Sequence, residues 1–306
     1  MADIKIDPSE APFPKSPVMP ALIEGDATIN FRCHRGIACW NACCSNIDIS
    51  LTPYDILRLA RRLKIPTGEF LTQYTYPYEL EPGGIAGVKL KPVANGSACQ
   101  FMVPEGCSVY EDRPTACRYY PVALLSMRKQ NEFTDTHGYA LVKEPHCLGH
   151  NEPRPIRIED YRKEQGLIEY DERGRGWRQL ILKKKSSGPT VGKPTPRSLQ
   201  LFFMACYDLD RFREFVGTDS FNDVYDLPAD LKEKLRTDDL ELMAFAFRLL
   251  RQVMFNEMSI AIKPDAMEKR LARKKEREAL LDEIAAKVGP LEGTRVDPND
   301  KYNQID

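Results

Sequence analysis

The sequence predicts an α+β fold in which a loop-rich, cysteine-rich region with short strands and helices precedes a mostly α-helical C-terminal half. Cysteines number nine in the chain, and all but Cys206 lie before residue 150. The 23 prolines fall mostly in the first part of the chain, whereas apolar residues recur at helical spacing after Ser198. Proline interrupts regular structure and a helical period indicates amphipathic helices, so the two halves are expected to be built differently.

The clearest helix of the first half follows Thr52. Thr52 is a favourable N-cap, Pro53 suits the first helical position, and Asp55 stands three residues after the cap. Pro66 is expected to end this helix, and Thr67 to cap the next. The apolar residues share one face, namely Ile56, Leu59, Ala60 and Leu63. The basic residues are interpreted as a solvated surface; they are Arg58, Arg61, Arg62 and Lys64.

Short strands and a helical turn are predicted around the later cysteines. Cys99–Val103 and Cys107–Tyr110 read as two strands of a hairpin that turns through Pro104–Gly106. Such a hairpin fixes the separation of its two thiols, which is a common way to build half of a metal site. Asp112 is expected to cap a single helical turn that carries Cys117.

Helices dominate the predictions beyond residue 150. A Pro-, Gly- and Ser-rich linker is predicted at Ser186–Arg197, and Cys206 is interpreted as a small buried hydrophobe within an apolar helix. The predicted helices are Ile158–Gln165, Trp177–Lys185, one from Ser198 to Val216, a long one opening at Thr237, and a charged one beginning at Pro264.

The chain of 306 residues is long enough for one large domain or two ordinary ones. Composition shifts along the chain suggest four regions. These are an N-terminal arm at 1–29, a cysteine-cluster metal-binding domain at 30–150, a helical region at 151–262, and a charged helix with a disordered tail at 263–306.

Charge and hydropathy limit the cellular compartments and the kinds of partner that are expected for this chain. The net charge of −1 gives no global argument for nucleic-acid binding. The sequence contains no run of eighteen apolar residues, so no membrane span is predicted, and the N-terminal residues show no secretory signal. We therefore expect a cytoplasmic protein, in which thiols are kept reduced.

Clustered cysteines in a reducing compartment point to metal chemistry rather than disulfides. Neighbouring thiolates raise one another's pKa unless a cation, either a soft divalent metal or an iron–sulfur cluster, neutralises them. Neither the C-x2-C pairs of zinc fingers nor the C-x2-C-x2-C run of ferredoxins occurs, so spacing names no metal. The adjacent thiols of Cys43 and Cys44 are expected to diverge, which favours an iron–sulfur cluster such as 4Fe-4S over one tetrahedral zinc. Each histidine taken alone is interpreted as a surface residue: His34, His137, His146 and His150.

At the level of motifs, the cysteine region resembles the YkgJ-type cysteine-cluster family. The shared motifs are FRC, C-x3-CC, IDISLTPYDILRLARRL and ACQFM…GCSVYEDRPTACRYYPV. Members are described as zinc- or iron-chelating and are often called Fe–S-cluster-containing. The C-x3-CC portion is also similar to the start of flagellin lysine-N-methylases. The resemblance implies a metal ligand set of Cys33, Cys39, Cys43, Cys44, Cys99, Cys107 and Cys117, and position adds Cys147.

Three functional hypotheses follow. The favoured one is a cytosolic iron–sulfur protein with a redox, electron-transfer or structural role, whose helical half docks a protein partner. The second is a structural zinc-binding interaction module. The third is an S-adenosylmethionine-dependent lysine methylase-like enzyme, although no glycine-rich motif for that cofactor and no catalytic residue is identified. Metal storage is a weaker alternative.

Overall fold

Short strands and helices alternate in the first half of the chain, and helices follow in the second. The computed structural model describes residues 23–81, 84–127, 136–186 and 194–288. This architecture confirms the predicted α+β class. The strands of the described residues are β1 (Thr28–Asn30), β2 (Ser50–Leu51), β3 (Thr75–Glu81), β4 (Ile85–Leu90), β5 (Met102–Val103), β6 (Gly106–Cys107), β7 (Val122–Met127), β8 (Thr136–Leu141) and β9 (Pro155–Arg157). The α-helices are α1 (Pro53–Leu63), α2 (Thr67–Tyr74), α3 (Thr115–Tyr119), α4 (Ile158–Glu164), α5 (Leu167–Ser186), α6 (Pro196–Tyr207), α7 (Leu209–Gly217), α8 (Asp219–Asn222), α9 (Ala229–Thr237), α10 (Asp239–Phe255) and α11 (Ala266–Val288).

The strands pair in small antiparallel sheets: β1 with β9, β2 and β3 on either side of β4, β5 with β6, and β7 with β8. The β1–β9 pair matches Thr28 with Arg157 and so closes the start of the cysteine region onto its end. Residues 23–29, which the sequence places in an arm, belong to this closure, because Ile23 bridges Tyr139 and Ile29 is buried. Residues 1–22 lie outside the described residues.

Helix α1 confirms the predicted capping box. The Asp55 amide donates to Thr52 Oγ1 at 3.2 Å, and the Thr52 amide donates to Asp55 Oδ2 at 2.8 Å. Arg61 on the predicted solvated basic face is exposed, and its guanidinium also bonds to carboxylates of the later helices, at 2.9 Å to both Asp210 and Asp239.

Three other predicted helix details differ in the structure. Pro66 rather than Thr67 is the N-cap of α2. Pro114 rather than Asp112 is the N-cap of α3, and Asp112 instead forms an ion pair with Arg58 at 2.6 Å. The helix predicted from Ser198 to Val216 breaks at Asp208, which leaves helical geometry and, with Asp210, bonds to Thr67.

An apolar core joins α5, α6, α7 and α10 of the larger unit. Gly176 in α5 admits the ring of Phe247, whose Cδ2 would lie 2.5 Å from a Cβ at that position. Cys206 is 3% exposed, which confirms its interpretation as a buried hydrophobe. The largest fully buried side chains of this core include Phe202, Tyr207, Phe212 and Phe245.

The chain divides into two compact units, Met1–Gly217 with Pro228–Ile260, and Thr218–Leu227 with Ala261–Asp306. The larger unit contains the cysteine region and most of the helices that follow it, whereas α8 and α11 lie in the smaller unit. Within the smaller unit, Tyr225 bridges Ile262, and Lys269 lies 4.0 Å from Asp223. Over the stretches that the structure describes, no helix combines the length and apolarity needed to cross a membrane.

Candidate metal centre

Backbone hydrogen bonds that continue from the β1–β9 pair hold the start of the first cysteine loop, residues 33–44. The Phe31 amide donates to Arg154 O at 3.0 Å and the Arg32 amide donates to Gly149 O at 3.1 Å, which places Cys33 beside the segment that carries Cys147. Position 149 requires glycine, because a Cβ there would lie 2.7 Å from Phe31 Cε2.

The middle of the same loop reaches the Cys147 segment directly. The amide of Leu148, the residue after Cys147, donates to Cys39 Sγ at 3.3 Å. Cys39 and Cys147 therefore come together from opposite ends of the cysteine region.

Cys43 and Cys44 occupy a 3-10 turn, Ala42–Cys44, that follows a left-handed residue, Asn41, with φ of 66°. Their sulfurs lie 3.9 Å apart. The expectation that these neighbours diverge is therefore wrong, because the tight turn brings both side chains to one side. Two thiolates on one tetrahedral zinc, each about 2.3 Å from the ion, stand about 3.8 Å apart. Adjacency consequently gives no argument against a single ion.

A short hairpin that carries Cys107 packs onto this turn. The pairing of Met102 with Cys107 confirms the hairpin, but its strands, β5 and β6, are shorter than predicted, and Cys99 lies before β5, where it bridges Pro92. The Cys99 amide donates to Cys44 O at 2.8 Å, and Asn41 Nδ2 donates to Val103 O at 3.1 Å. Both the residues that lead into β5 and the end of β5 are therefore tied to the 3-10 turn.

Cys117 is presented by α3, and a buried carboxylate holds the start of that helix. Asp55 Oδ1 accepts the amide of Thr115 at 2.8 Å and its hydroxyl at 2.7 Å. The same carboxyl caps α1 through its other oxygen. One fully buried aspartate thus joins the first helix of the chain to the turn that carries Cys117.

The thiols influence one another's charge. Partial burial of its sulfur, followed by the thiols of Cys43, Cys39 and Cys147, raises the pKa of Cys33 to about 11. Burial likewise raises the pKa of Cys117, with smaller contributions from Cys99 and Cys107. A hydrogen bond from the neighbouring thiol lowers the pKa of Cys43 to about 7. A bound cation has the opposite effect: it lowers the pKa of the thiols around it, because it stabilises their thiolate forms.

The described cysteines are all free thiols, so no disulfide competes with metal ligation among them. Within the described ranges no three Cys, His, Asp or Glu side chains already stand at the spacing of metal ligands. The structure brings the eight predicted cysteines into one region, and their role as ligands stays a prediction. They are Cys33, Cys39, Cys43, Cys44, Cys99, Cys107, Cys117 and Cys147.

Three histidines near the thiols have other partners. His34 pairs with Glu152 at 3.4 Å, and His146 pairs with Glu144 at 3.5 Å. His150 contacts the backbone oxygen of Val142 through Nε2 at 3.0 Å, and burial lowers its pKa. The side chain of His137 lies outside the described residues. Sulfur is therefore the donor that the site offers most readily, and soft thiolate sites select zinc or iron–sulfur clusters.

The buried hydroxyl of Tyr120 tests whether the residues around the thiols fit a bound metal. Tyr120 Oη is buried and has no hydrogen-bond partner among the described residues. The Cys147 thiol and the Glu144 carboxyl act on this hydroxyl and, after burial itself, raise its pKa. A buried hydroxyl beside a thiol finds an acceptor when that thiol becomes a metal-bound thiolate, so the surroundings fit a thiolate-bound metal. In the sequence Tyr120 appears only as part of the family motif, and its position three residues after Cys117 is the one feature that suggests a place near the thiols.

Comparisons with known proteins agree with this geometry. Residues 32–147 match the family model CxxCxxCC, described as a putative zinc- or iron-chelating domain. No curated protein and no solved structure matches the chain. The similarity to flagellin lysine-N-methylases stays a prediction. The match over residues 32–147 supports metal binding by this part of the chain and agrees with the YkgJ-type resemblance that the motifs predict.

Proposed function

We propose that residues 32–147 hold iron and sulfide as an iron–sulfur cluster, and that the protein transfers electrons or senses redox state in the cytoplasm. The supporting observation is that contacts near the sulfurs join separate chain segments that carry free thiols: the Leu148 amide donates to Cys39 Sγ, and the Cys99 amide donates to Cys44 O. Iron–sulfur clusters are held chiefly by cysteine thiolates, and thiols are the donors that this region offers in the greatest number.

Exposure of part of the site supports a redox role. Cys33 and Cys43 are exposed, whereas Cys99 is 7% exposed. A cluster ligated between them would have one side at the protein surface, where a partner protein can approach. Solvent exposure and hydrogen bonds to sulfur are among the factors that set a cluster's potential, and the Leu148 amide supplies one such bond to Cys39.

Zinc is the second candidate, and the Cys43–Cys44 geometry favours it. The separation of 3.9 Å between the two sulfurs is close to that of two ligands on one tetrahedral ion. In this alternative the metal is structural, and the domain serves as a protein interaction module. Zinc has no redox chemistry, so an electron-transfer role would then be excluded.

Anaerobic purification followed by metal and acid-labile sulfide analysis tests the proposal. We expect iron and sulfide in the protein and a brown colour with broad absorption near ~400 nm from the cluster. Zinc without sulfide would support the second candidate. Protein that contains neither metal would contradict both candidates.

Matched cysteine variants supply the control. Cys99 and Cys206 are both buried thiols, but only Cys99 lies in the cysteine region. Cys99→Ser should lose bound metal, whereas Cys206→Ser should retain the wild-type content. Equal metal content in the two variants would contradict the assignment of Cys99 as a ligand.

A further inference from the structure

The loop between Pro92 and Cys99 contains the one Asn–Gly pair of the sequence, Asn95–Gly96. Both residues are exposed, and Asn95 has a left-handed backbone with φ of 59°. The Gly96 amide donates to Val93 O at 3.2 Å, which closes a turn in which Asn95 is the third residue. A positive φ at that position is typical of a type II turn and favours glycine or asparagine.

Glycine at position 96 leaves the peptide nitrogen after Asn95 open to approach. A Cβ at that position would lie 2.8 Å from Val93 Cγ2, so a larger residue would crowd the turn. The hydrogen bond that the nitrogen makes to Val93 O is at the long end of the range for N–H···O bonds. Asn46 offers a contrast within the same region, because it is also exposed but precedes the branched Ile47, whose amide donates to Ser97 O at 2.9 Å.

We propose that Asn95 is a site of spontaneous deamidation, a covalent modification that changes the backbone of this loop. The peptide nitrogen of Gly96 loses its proton to a base in the solvent and attacks Asn95 Cγ. A new C–N bond forms, and the side-chain nitrogen takes a proton from water and leaves as ammonia. Water then opens the cyclic succinimide, at Cγ to give aspartate or at the main-chain carbonyl to give isoaspartate. The reaction consumes water, involves no oxidation and requires no bound metal, so it is independent of the proposed function.

The modified loop is clamped at both ends beside the 3-10 turn. The Val93 amide donates to Ala98 O at 2.8 Å, and the Cys99 amide donates to Cys44 O at 2.8 Å. In isoaspartate the chain continues through Cβ and Cγ, which adds an atom to the main chain between these clamps. We expect the longer chain to break the bond of the Cys99 amide, whereas aspartate keeps the chain length and should leave the bond intact.

Ageing of the full-length protein in mildly alkaline buffer tests the site, because base removes the proton of the attacking nitrogen. Peptide mass spectrometry would follow the mass gain that accompanies replacement of NH2 by OH at each asparagine, and an isoaspartyl methyltransferase would label isoaspartate. We expect product to accumulate several-fold faster at Asn95 than at Asn46, the exposed internal control. Conversion at Asn95 that is no faster than at Asn46 would overturn the proposal.

Hydrogen exchange at the Cys99 amide tests the effect on the loop. The fraction of aged protein that contains isoaspartate would be compared with fresh protein and with Asn95→Asp, which carries the added charge without the longer main chain. We expect fast exchange in the isoaspartate fraction and slow exchange in the other two. Slow exchange in all three would overturn the link between the modification and the position of Cys99. Fast exchange in Asn95→Asp would overturn the argument from chain length.

Discussion

The cysteine region and the helices that follow it are stabilised in different ways. The helices bury large apolar side chains such as Phe202, Phe212 and Phe245 in a continuous core. The cysteine region also has a buried apolar cluster, which includes Phe31, but its hairpin consists of two-residue strands, β5 and β6, and Cys33 and Cys43 are exposed. Burial of apolar surface is the dominant favourable term in folding, so we expect packing to stabilise the helical part and bound metal to stabilise the first cysteine loop and the hairpin.

Polar contacts nevertheless join the two regions within the larger unit. Tyr54 in α1 donates to Glu169 in α5 at 2.7 Å, and Tyr119 in α3 donates to Asp171 at 2.7 Å. These bonds start from helices that border the thiols. Loss of metal is therefore expected to loosen the contacts of α1 and α3 with α5 before the apolar helical core is affected.

Metal removal should produce the largest difference between the regions. Binding of structural zinc supplies about 10–16 kcal/mol in zinc-finger peptides, and that free energy is available for folding. After chelation we expect hydrogen exchange to become fast at amides of the first loop and the hairpin. Amides of α10 should keep their protection and are the internal control. Equal protection of the hairpin with and without metal would contradict the comparison.

Phe245→Ala tests whether the helical core is stabilised independently of the metal. Truncation of this buried ring should lower the free energy of unfolding by about 3–5 kcal/mol, because it leaves a cavity in the helical core. Metal content per folded chain should stay at the wild-type value. Val253→Ala on the same helix is the control, since Val253 is 38% exposed and its truncation should have little effect. Loss of metal from folded Phe245→Ala would show that the regions are not separately stabilised.

Asp55→Asn tests the junction between the regions. The amide group of asparagine cannot accept from both Thr52 and Thr115, so one buried N–H loses its partner at a cost of about 1–3 kcal/mol. Thermal unfolding measures the loss. Asp230→Asn is the control, because Asp230 also lies in the first turn of a helix but is exposed. An Asp55 variant as stable as this control would contradict the anchoring role.

Tyr120→Phe should have the smallest effect and should appear in metal affinity rather than stability. Removal of a partner that hydrogen-bonds to a metal ligand typically weakens metal affinity about 10–100-fold. Competition with a chromophoric chelator measures this change. Tyr110→Phe is the control, since Tyr110 is 49% exposed on the same region. Identical affinities in the two variants would mean that the Tyr120 hydroxyl does not donate to Cys147.

Features set by neighbouring residues could be predicted from the sequence. The capping box of α1 and the hairpin turn before Cys107 depend on residues close in the chain, and both are confirmed, whereas Cys99 lies outside the paired strands. The cysteine motifs likewise predicted the metal-binding family of residues 32–147. Local chemistry was sufficient in each case.

Features set by distant residues could not be predicted. Arg61 pairs with aspartates far along the chain, and the break at Asp208 coincides with its bond to Thr67. Neither partner is apparent from local periodicity. The convergence of Cys43 and Cys44 depended on a left-handed Asn41, a conformation that this residue type tolerates but that its identity alone does not require. The buried hydroxyl of Tyr120 likewise became visible only in three dimensions.

Thiol alkylation followed by mass spectrometry tests the central claim most directly. The protein would be purified anaerobically and treated with an alkylating reagent before and after metal removal. We expect the eight thiols of the cysteine region to be protected in the metal-bound protein and to react after chelation, while the buried Cys206 stays protected in both. Equal alkylation of the eight thiols in both states, or masses that show disulfides between them, would contradict the claim that these cysteines converge on bound metal.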